Sequence, residues 1–204
     1  MISGKGGTGK TTLTAAFASL AKNAVIADCD VDAADMHLIL KPEILEEEYY
    51  LGLEVASIDP ELCTGCGTCR EVCRFGAVSS DITINQYCCE GCAVCTVACP
   101  ENAVSMKPRI SGQVFSSNTR FGPLAHAKLG IGEEASGKLV SAARERATKL
   151  AEQYNKELII IDGPPGIGCP VIAAITGTDL VLAVSEPTVS GIHDLKRVIE
   201  LAKH

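Results

Sequence analysis

The chain has 204 residues, of which 47% are hydrophobic, and its formal net charge at neutral pH is −7. This length is enough for one α/β core with a small second module, and the acidic balance argues against a nucleic-acid-binding surface. Because 11 cysteines occur without a signal peptide or a long apolar span, the composition argues against disulfides and a membrane association and favours a cytoplasmic metal-binding protein.

The first predicted elements are a glycine-rich loop, Ser3 to Gly9, and an apolar helix over Thr11 to Lys22. Leu13 and Phe17 lie at helical spacing in this helix. A short apolar strand, Ala24 to Asp28, follows it. A loop, a helix and a strand in this order are typical of the start of a layered α/β domain.

After a cysteine-rich middle, the chain continues with a polar segment around Arg109 to Gly122. The elements predicted beyond it are a helix over Gly137 to Asn155, strands over Leu158 to Ile161 and Leu180 to Val184, and a closing helix over Ile192 to Lys203. Because strands and helices alternate on both sides of the middle, the sequence predicts a single parallel sheet with helices on both faces. The predicted domains are 1–57 and 109–204 for the two parts of the α/β domain, and 58–108 for an insert.

The middle segment contains two runs of four cysteines, each with two, two and three residues between them. The first run is Cys63, Cys66, Cys69 and Cys73, and the second run is Cys89, Cys92, Cys95 and Cys99, followed by Pro100. Ala-Val-Ser recurs at the same distance after each run. The repeat indicates an internal duplication.

Runs of this spacing are typical of [4Fe–4S] clusters, and in two-cluster ferredoxins the fourth cysteine of each run binds the other cluster. This rule assigns Cys63, Cys66, Cys69 and Cys99 to one cluster and Cys89, Cys92, Cys95 and Cys73 to the other. A pair of zinc sites is the alternative, although zinc modules rarely contain such a run twice. The sequence therefore predicts a small α+β ferredoxin-like insert that holds two clusters.

The glycine-rich loop contains the spacing of a phosphate-binding loop, which ends in Gly-Lys-Thr. The residues expected at the nucleotide are Gly4, Lys5, Gly6, Gly7, Thr8, Gly9, Lys10, Thr11 and Thr12. Backbone amides would surround the phosphates, with Lys10 at the β- and γ-phosphates and Thr11 on Mg²⁺. The alternative is a glycine-rich turn before a helix, without a ligand.

Carboxylates follow two of the predicted strands. Asp28, Asp30 and Asp32 come at the end of the first strand, and Asp162 ends the strand that begins at Leu158. A carboxylate at the end of a strand beside a phosphate loop is expected as a second Mg²⁺ contact. The Gly-Pro-Pro-Gly-Ile-Gly turn after Asp162 suits a sensor of the γ-phosphate.

These motifs together resemble one family. Lys-Gly-Gly-Thr-Gly-Lys-Thr-Thr, with its extra Lys5, is similar to the deviant Walker A loop of the MinD, ParA, Mrp and nitrogenase iron-protein superfamily (SIMIBI class). The resemblance extends through Asp-Cys-Asp-Val-Asp, both cysteine runs, Ile-Asp-Gly-Pro-Pro-Gly and Ser-Glu-Pro-Thr-Val-Ser-Gly. It is strongest to MinD-like ATPases with an inserted ferredoxin domain, and it implies a P-loop NTPase fold around the insert.

The resemblance also implies roles for individual residues. Lys5 would reach the nucleotide across the interface of a homodimer formed through the nucleotide face. Asp30 would position the attacking water, with Asp28 beside it, and Asp162 would lie near Mg²⁺. Lys5, Lys10 and Asp30 are therefore the expected catalytic residues of a slow ATPase.

The family pattern extends further than this chain at both ends. Only Met1 and Ile2 precede the loop where the family has a full central strand, and the adenine-cradling segment expected after His204 is not in the sequence. The chain is therefore expected to be truncated at both ends, with weakened anchoring of the phosphate loop.

Three cysteines lie outside the predicted quartets. Cys29 is interpreted as a core residue, Cys88 as a spare small residue, and Cys169 follows Asp162 at a spacing similar to that of a cluster-bridging cysteine in the nitrogenase iron protein. A bridging cluster would need a second such thiol, for which the sequence offers no candidate. His126 and His193 are interpreted as structural or solvated residues, and the Glu46 to Glu48 segment as a solvated acidic turn.

Two functions remain open at this point. The first is nucleotide-gated electron transfer, or cluster delivery to an apo-protein acceptor, with ATP, Mg²⁺ and two [4Fe–4S] clusters as cofactors. The second is a ferredoxin-type electron carrier on a nucleotide-binding scaffold without effective hydrolysis. Membrane positioning is a weaker third possibility, since no basic amphipathic C-terminal helix is visible.

Overall fold

The computed structural model describes residues 1–133 and 137–203. The helices and strands, in chain order, are β1 (Ile2–Ser3), α1 (Lys10–Leu20), β2 (Ala24–Asp28), α2 (Met36–Leu40), β3 (Glu43–Ile58), α3 (Thr68–Val72), α4 (Val94–Ala98), β4 (Val104–Thr119), β5 (Gly122–Leu129), α5 (Gly137–Gln153), β6 (Leu158–Asp162), α6 (Cys169–Ile175), β7 (Ala183–Val184) and α7 (Val189–Ala202). Two compact units are present. The first comprises Met1–Tyr50, Gly112–Leu129 and the described residues of Glu134–His204, and the second comprises Leu51–Ser111 and Gly130–Glu133.

The first unit contains a sheet with the strand order β3-β4-β5-β2-β6. β2 is parallel to both β5 and β6, and all five of its residues are buried. An apolar strand buried on both faces is typical of a parallel sheet covered by helices. The predicted α/β class is confirmed by this arrangement of strands and helices.

The prediction of a single parallel sheet is wrong, because β4 and β5 pair in the antiparallel direction. Their hairpin includes most of the segment around Arg109 to Gly122, for which the sequence predicted a polar character and no strand. Ser116 and Ser117 of β4 are buried in the sheet, so the polar composition did not mark a loop. The Thr119 hydroxyl closes the turn: it accepts a hydrogen bond from the Phe121 amide at 3.1 Å and donates one to the Gly122 carbonyl at 2.8 Å. The main sheet is therefore mixed.

The phosphate-loop motif is preceded by a strand of only two residues, β1, which pairs in parallel with β7. The Ile2 amide donates to the Leu182 carbonyl at 3.0 Å, and the Gly163 amide donates to the Met1 carbonyl at 2.8 Å. Hydrogen bonds on both sides, together with the full burial of Ile2, hold this short strand. These contacts anchor the loop, so the expectation of weak anchoring is wrong.

The largest apolar core of the first unit lies between the sheet and α5. The α5 residues buried there lie at helical spacing and are Leu139, Val140, Ala143, Ala147, Leu150 and Ala151. They belong to one cluster with Val25 and Ala27 of β2 and Ala125 and Ala127 of β5. Burying a Leu or Val side chain stabilises a fold by about 1.5–3 kcal/mol, so this core holds in place β2, whose last residue is Asp28.

The acidic segment Glu46 to Glu48 is part of β3 and is not a turn, which corrects the interpretation of that segment. Arg146 of α5 forms ion pairs with Glu46, at 3.1 Å, and with Glu48. Side chains of a strand alternate between faces, so these two glutamates share one face. A single arginine from a helix distant in sequence thus pairs with two of the three glutamates of the run.

The second unit is built around both cysteine runs. Its buried core comprises Ala56, Cys69, Val78 and Val104, and four further quartet cysteines are partly buried against it: Cys73, Cys89, Cys95 and Cys99. α3 and α4 start at equivalent places in the two runs, after residues in the left-handed conformation, Gly67 with φ 82° and Ala93 with φ 58°. The duplication in sequence is therefore a duplication in local structure.

Candidate functional site

The eight cysteines of the two runs surround two separate cavities in the second unit. The first cavity is lined by Cys63, Cys66, Cys69 and Cys99, and the second cavity is lined by Cys73, Cys89, Cys92 and Cys95. Each cavity thus takes three thiols from one run and the last thiol from the other run. This grouping is the one that the spacing rule of two-cluster ferredoxins assigns.

Glycines shape the loops that carry these thiols. Gly65 and Gly67 have φ values of 72° and 82°, and Gly91 has a φ value of 65°. These left-handed conformations are easily adopted by glycine, and they let a short loop turn several side chains inward. A Cβ atom on Gly91 would also lie 2.4 Å from the Glu54 carbonyl oxygen, so glycine is required there.

The donor set fits an iron–sulfur cluster. Four thiols around one cavity supply the four sulfur ligands of a [4Fe–4S] cluster. Burial raises the pKa of the Cys69 and Cys95 thiols, while the Thr68 hydroxyl lowers the pKa of the Cys66 thiol. Metal ligation deprotonates all such thiols, because the thiolate is the ligand. Among residues 1–133 and 137–203, no three His, Cys, Asp or Glu side chains converge as they would on a single metal ion.

The first unit has its own candidate site at the glycine-rich loop. A cavity of about 460 Å³ is lined by the loop residues Gly6, Gly7, Thr8 and Gly9, by Lys10, Thr11 and Thr12 of α1, and by Asp30 and Asp32. The first amides of a helix have no partner within the helix and favour an anion. Pro164 and Pro165, from the turn after β6, close another side of the cavity.

Backbone conformation explains two glycines of the loop, and close packing explains a third. Gly7 and Gly9 have φ values of 80° and 81°, and a Cβ atom on either would meet nothing within 4 Å. Their requirement is conformational. A Cβ atom on Gly4 would instead lie 2.4 Å from Cβ of Asp194 in α7, so the approach of that helix requires glycine.

Lys10 is buried and lies between two carboxylates. Its Nζ atom is 2.9 Å from Oδ1 of Asp162 and 3.5 Å from Oδ2 of Asp30. Thr14, one turn further along α1, donates its hydroxyl to Oδ1 of Asp162 at 2.8 Å. The other oxygen of Asp162, Oδ2, is buried and has no hydrogen-bond partner among the residues that the structure describes. An orphaned carboxylate oxygen beside a lysine and a phosphate-type loop fits a site for a metal-bound anion.

Thr14 was not singled out from the sequence. It is a small polar residue in an apolar helix, and only its spacing of one turn from Lys10 indicates a shared partner. Thr8 was predicted at the nucleotide as part of the loop, and it lines the cavity. Its hydroxyl is buried and has no hydrogen-bond partner within the described part of the chain.

The predicted aspartates differ in their surroundings. The Asp28 carboxylate accepts hydrogen bonds from the amides of Asp30 and Met36, both at 3.2 Å. Burial, followed by the charge of Asp162, raises the pKa of Asp28 to about 8. Burial also raises the pKa of Asp30, against the opposing effect of Lys10. Asp28 supports the loop that carries Asp30, and it does not line the cavity.

Lys5 lies on the outer side of the loop. Its Nζ atom is 2.9 Å from Oε2 of Glu186, and both side chains are about one-third exposed. The Ser185 hydroxyl, which donates to the Gly191 carbonyl at 2.8 Å, helps to position the segment that carries Glu186. Gly4, Lys5 and Asp162 lie outside the lining of the cavity.

The remaining cysteines and His126 do not line the cavities of either site. Cys29 is fully buried in the core, where burial raises its pKa to about 12, while Cys88 and Cys169 are exposed. His126 stacks on Phe115 with ring centroids 4.7 Å apart, and its Nε2 atom lies 2.9 Å from the Ser117 hydroxyl. Burial lowers the pKa of His126 to about 4, so it is a neutral structural residue at neutral pH.

No helix within the described residues combines the length and the apolar character needed to cross a bilayer.

Comparisons with known proteins agree with the thiol geometry. A family model described as "4Fe-4S binding domain" matches residues 56–79, which contain the first cysteine run. The fold and the thiol sites therefore define the chain as an iron–sulfur protein of mixed α/β structure.

Two proteins of Methanocaldococcus jannaschii are similar along almost the whole chain. The uncharacterized protein MJ0578 is 43% identical over 205 residues, which cover 98% of this chain and 71% of that protein. The uncharacterized protein MJ0579 is 31% identical over 208 residues, which cover 98% of this chain and 73% of that protein. The chain belongs to the family of these two proteins.

Proposed function

We propose that this protein binds two [4Fe–4S] clusters and ATP, and that a slow ATPase switch gates electron transfer or cluster delivery to a partner. The observation that carries the proposal is the grouping of eight cysteines around two cavities, four at each. The separate cavity of the first unit, with its phosphate-type loop and buried Lys10, supports the part of the proposal that concerns ATP.

The thiols have a defined role in this proposal. Bound clusters would supply reversible one-electron transfer. The quartet containing Cys63 and the quartet containing Cys89 would hold one cluster each, and the exchange of Cys73 and Cys99 between the quartets would bind the two halves together. The partly buried cavities would limit water access, which is one way in which a protein sets a cluster's reduction potential.

The loop residues have roles in nucleotide binding and hydrolysis. The amides of Gly4 to Gly9, with Lys10 and Thr12, would hold the phosphates, while Thr11 and Asp162 would hold Mg²⁺. Lys10 would exchange its contact with Asp162 for phosphate oxygens. Asp30, with Asp28 holding its loop, would orient the attacking water, and Lys5 would neutralise charge across a homodimer interface.

The order of the elements along the chain suggests how the two activities could be coupled. Asp30 and Asp32 precede α2 and β3, and β3 leads into the cysteine-rich unit. A nucleotide-dependent movement of the Asp30 segment would therefore pass along the chain towards the thiols.

A second candidate function is an electron carrier on a nucleotide-binding scaffold that does not hydrolyse effectively. It is favoured by the contacts of both lysines: Lys10 is engaged by Asp162 and Asp30, and Lys5 is engaged by Glu186 of its own chain. In this case the binding of nucleotide would leave both lysines in their contacts with these carboxylates.

One experiment separates the two candidates. Anaerobically purified protein is analysed for iron and acid-labile sulfide, and the EPR spectrum of the dithionite-reduced protein is recorded with and without MgATP. The first candidate predicts about eight iron and eight sulfide per chain and a spectrum that changes with MgATP. Full iron without any response to MgATP would favour the carrier, and zinc in place of iron would refute both.

A further inference from the structure

The duplicated cysteine runs give the second unit two equivalent ends, which can be compared position by position. Cys66 and Cys92 are equivalent, and both are exposed. Two positions after these cysteines, Thr68 of α3 corresponds to Val94 of α4. Five positions after them, Glu71 of α3 corresponds to Val97 of α4. The two ends therefore share a backbone design but differ in surface chemistry.

The end near Cys92 exposes apolar side chains. Val97 is 89% exposed, Val94 is 49% exposed, and α4 contains no buried residue. Val94 and Val97, three residues apart on a helix, are surface neighbours. Phe75 is 47% exposed and lines the second cavity together with Val94 and Cys92. These three side chains, Phe75, Val94 and Val97, form what we call the α4 patch.

The helix fold does not require an apolar side chain at position 97. Glu71 is exposed at the position equivalent to Val97, so a charged residue is compatible with the same short helix. Single exposed apolar side chains are common, but a contiguous group beside a functional site marks an interaction surface.

We infer that the α4 patch is the docking surface for an electron-transfer partner protein, and that electrons are exchanged at the Cys92 end and not at the Cys66 end. This inference rests on the clusters of the proposed function. The partner is a protein whose own redox centre is surrounded by apolar, uncharged side chains. Cys92 is exposed beside the patch, so such a partner brings its redox centre close to the second cysteine quartet while covering Phe75, Val94 and Val97.

The chemistry of the patch also predicts the character of the complex. Apolar contacts are not screened by salt, whereas attraction between exposed charges is. A patch of three side chains is small, and small interfaces are typical of transient redox encounters. Electron exchange at this end is therefore fast, reversible and insensitive to ionic strength.

The test uses a methyl-terminated monolayer on a gold electrode as the apolar probe, and the full chain as the protein. The double variant Val94→Thr/Val97→Glu gives the second end the side chains of the first end. We expect its interfacial electron-transfer rate to fall about tenfold, which corresponds to about 1.4 kcal/mol. The control is Thr68→Ser/Glu71→Gln at the first end, which leaves the rate within about twofold.

Iron, sulfide and the EPR spectrum are measured for each variant, so a failure of the clusters is distinguished from a failure of docking. If the double variant loses iron, the single variant Val97→Ser is compared with the control in its place. Val97 is 89% exposed, so this change should not disturb the cluster. An unchanged rate in a variant with full iron, or an equal fall in the control, overturns the inference. Unmodified protein without iron overturns the proposed function itself.

Discussion

The two candidate sites differ in how the chain assembles them. The thiols of each quartet come mostly from one short run, in which three cysteines lie within seven residues of chain. The nucleotide-type site instead unites Lys10 with Asp30 and with Asp162, which is 152 residues away in the sequence. A local motif can be recognised from spacing alone, whereas a site built across parallel strands depends on the order of the strands in the sheet.

The difference also concerns energetics. In the second unit the thiols surround cavities, and the binding of a cluster would itself stabilise the fold. In the first unit the carboxylates are already compensated by Lys10, Thr14 and backbone amides. The first site is therefore expected to tolerate loss of its ligand better than the second.

The largest expected effect tests the exchange of cysteines between the quartets. Changing Cys99 to Ser should remove the cluster held with Cys63, Cys66 and Cys69, so that iron falls from about eight to about four per chain. Changing Cys73 to Ser should remove the other cluster, which EPR distinguishes. Cys88→Ser is the matched control, because Cys88 is exposed and lines neither cavity. Loss of the same cluster in both ligand variants would contradict the assignment.

The next effect concerns the long-range site. Lys10→Met removes the ammonium group but keeps an apolar stem, and we expect MgATP affinity to fall about 100-fold or more, since charged contacts to phosphate are worth about 1.5–3 kcal/mol each. Titration calorimetry measures the affinity, and circular dichroism checks that the variant is folded.

Lys22→Met is the control for Lys10, because Lys22 is an exposed lysine just beyond the same helix. Iron content should remain unchanged in both variants if the two sites are independent in assembly. A folded Lys10 variant with unchanged MgATP affinity would remove the nucleotide part of the proposal.

A smaller effect is expected from His126. Its folded-state pKa of about 4 lies below its unfolded value of about 6.5, so the unfolded chain binds more protons between these values. The contribution of His126 is therefore fully present above about pH 6.5 and is lost as the pH falls. Between pH 7 and pH 5 this contribution should fall by about 2 kcal/mol. Because the raised pKa of Asp28 acts in the opposite direction, the loss is measured by urea denaturation, followed by far-UV circular dichroism, as a difference between the unmodified protein and a variant without the imidazole.

His126→Phe keeps an aromatic ring against Phe115 and cannot take up a proton. Its stability at pH 7 is expected to be lower, because the Ser117 hydroxyl loses its partner. Relative to the unmodified protein, its stability should nevertheless improve by about 2 kcal/mol when the pH is lowered from 7 to 5. An equal pH dependence in both proteins would show that another group is responsible.

The smallest effect is expected from Arg146. Its pairs with Glu46 and Glu48 involve glutamates that are about 70% exposed, and exposed ion pairs contribute about 0–1 kcal/mol. Arg146→Met should therefore lower the free energy of unfolding by less than about 1 kcal/mol, and less still at high salt. A loss of more than about 2 kcal/mol would mean that β3 depends on this residue for its place in the sheet.

The sequence by itself determined the local features of this protein. The spacing of the cysteines grouped them into two quartets, and the apolar run at Ala24–Asp28 matched β2 residue for residue. The glycine pattern before Lys10 marked a loop with left-handed residues, which Gly7 and Gly9 adopt. These features depend on residues close together in the chain, where spacing and backbone preference have direct physical meaning.

The tertiary structure alone decided the features that join distant segments. The hairpin of β4 and β5 was missed because its buried serines are satisfied by sheet pairing and by His126, which composition does not reveal. Whether Lys10 faces Asp162, and whether Lys5 faces Glu186, depends on how strands and helices separated by long stretches of chain pack together. Such contacts are fixed by the burial of whole elements, and no single segment encodes them.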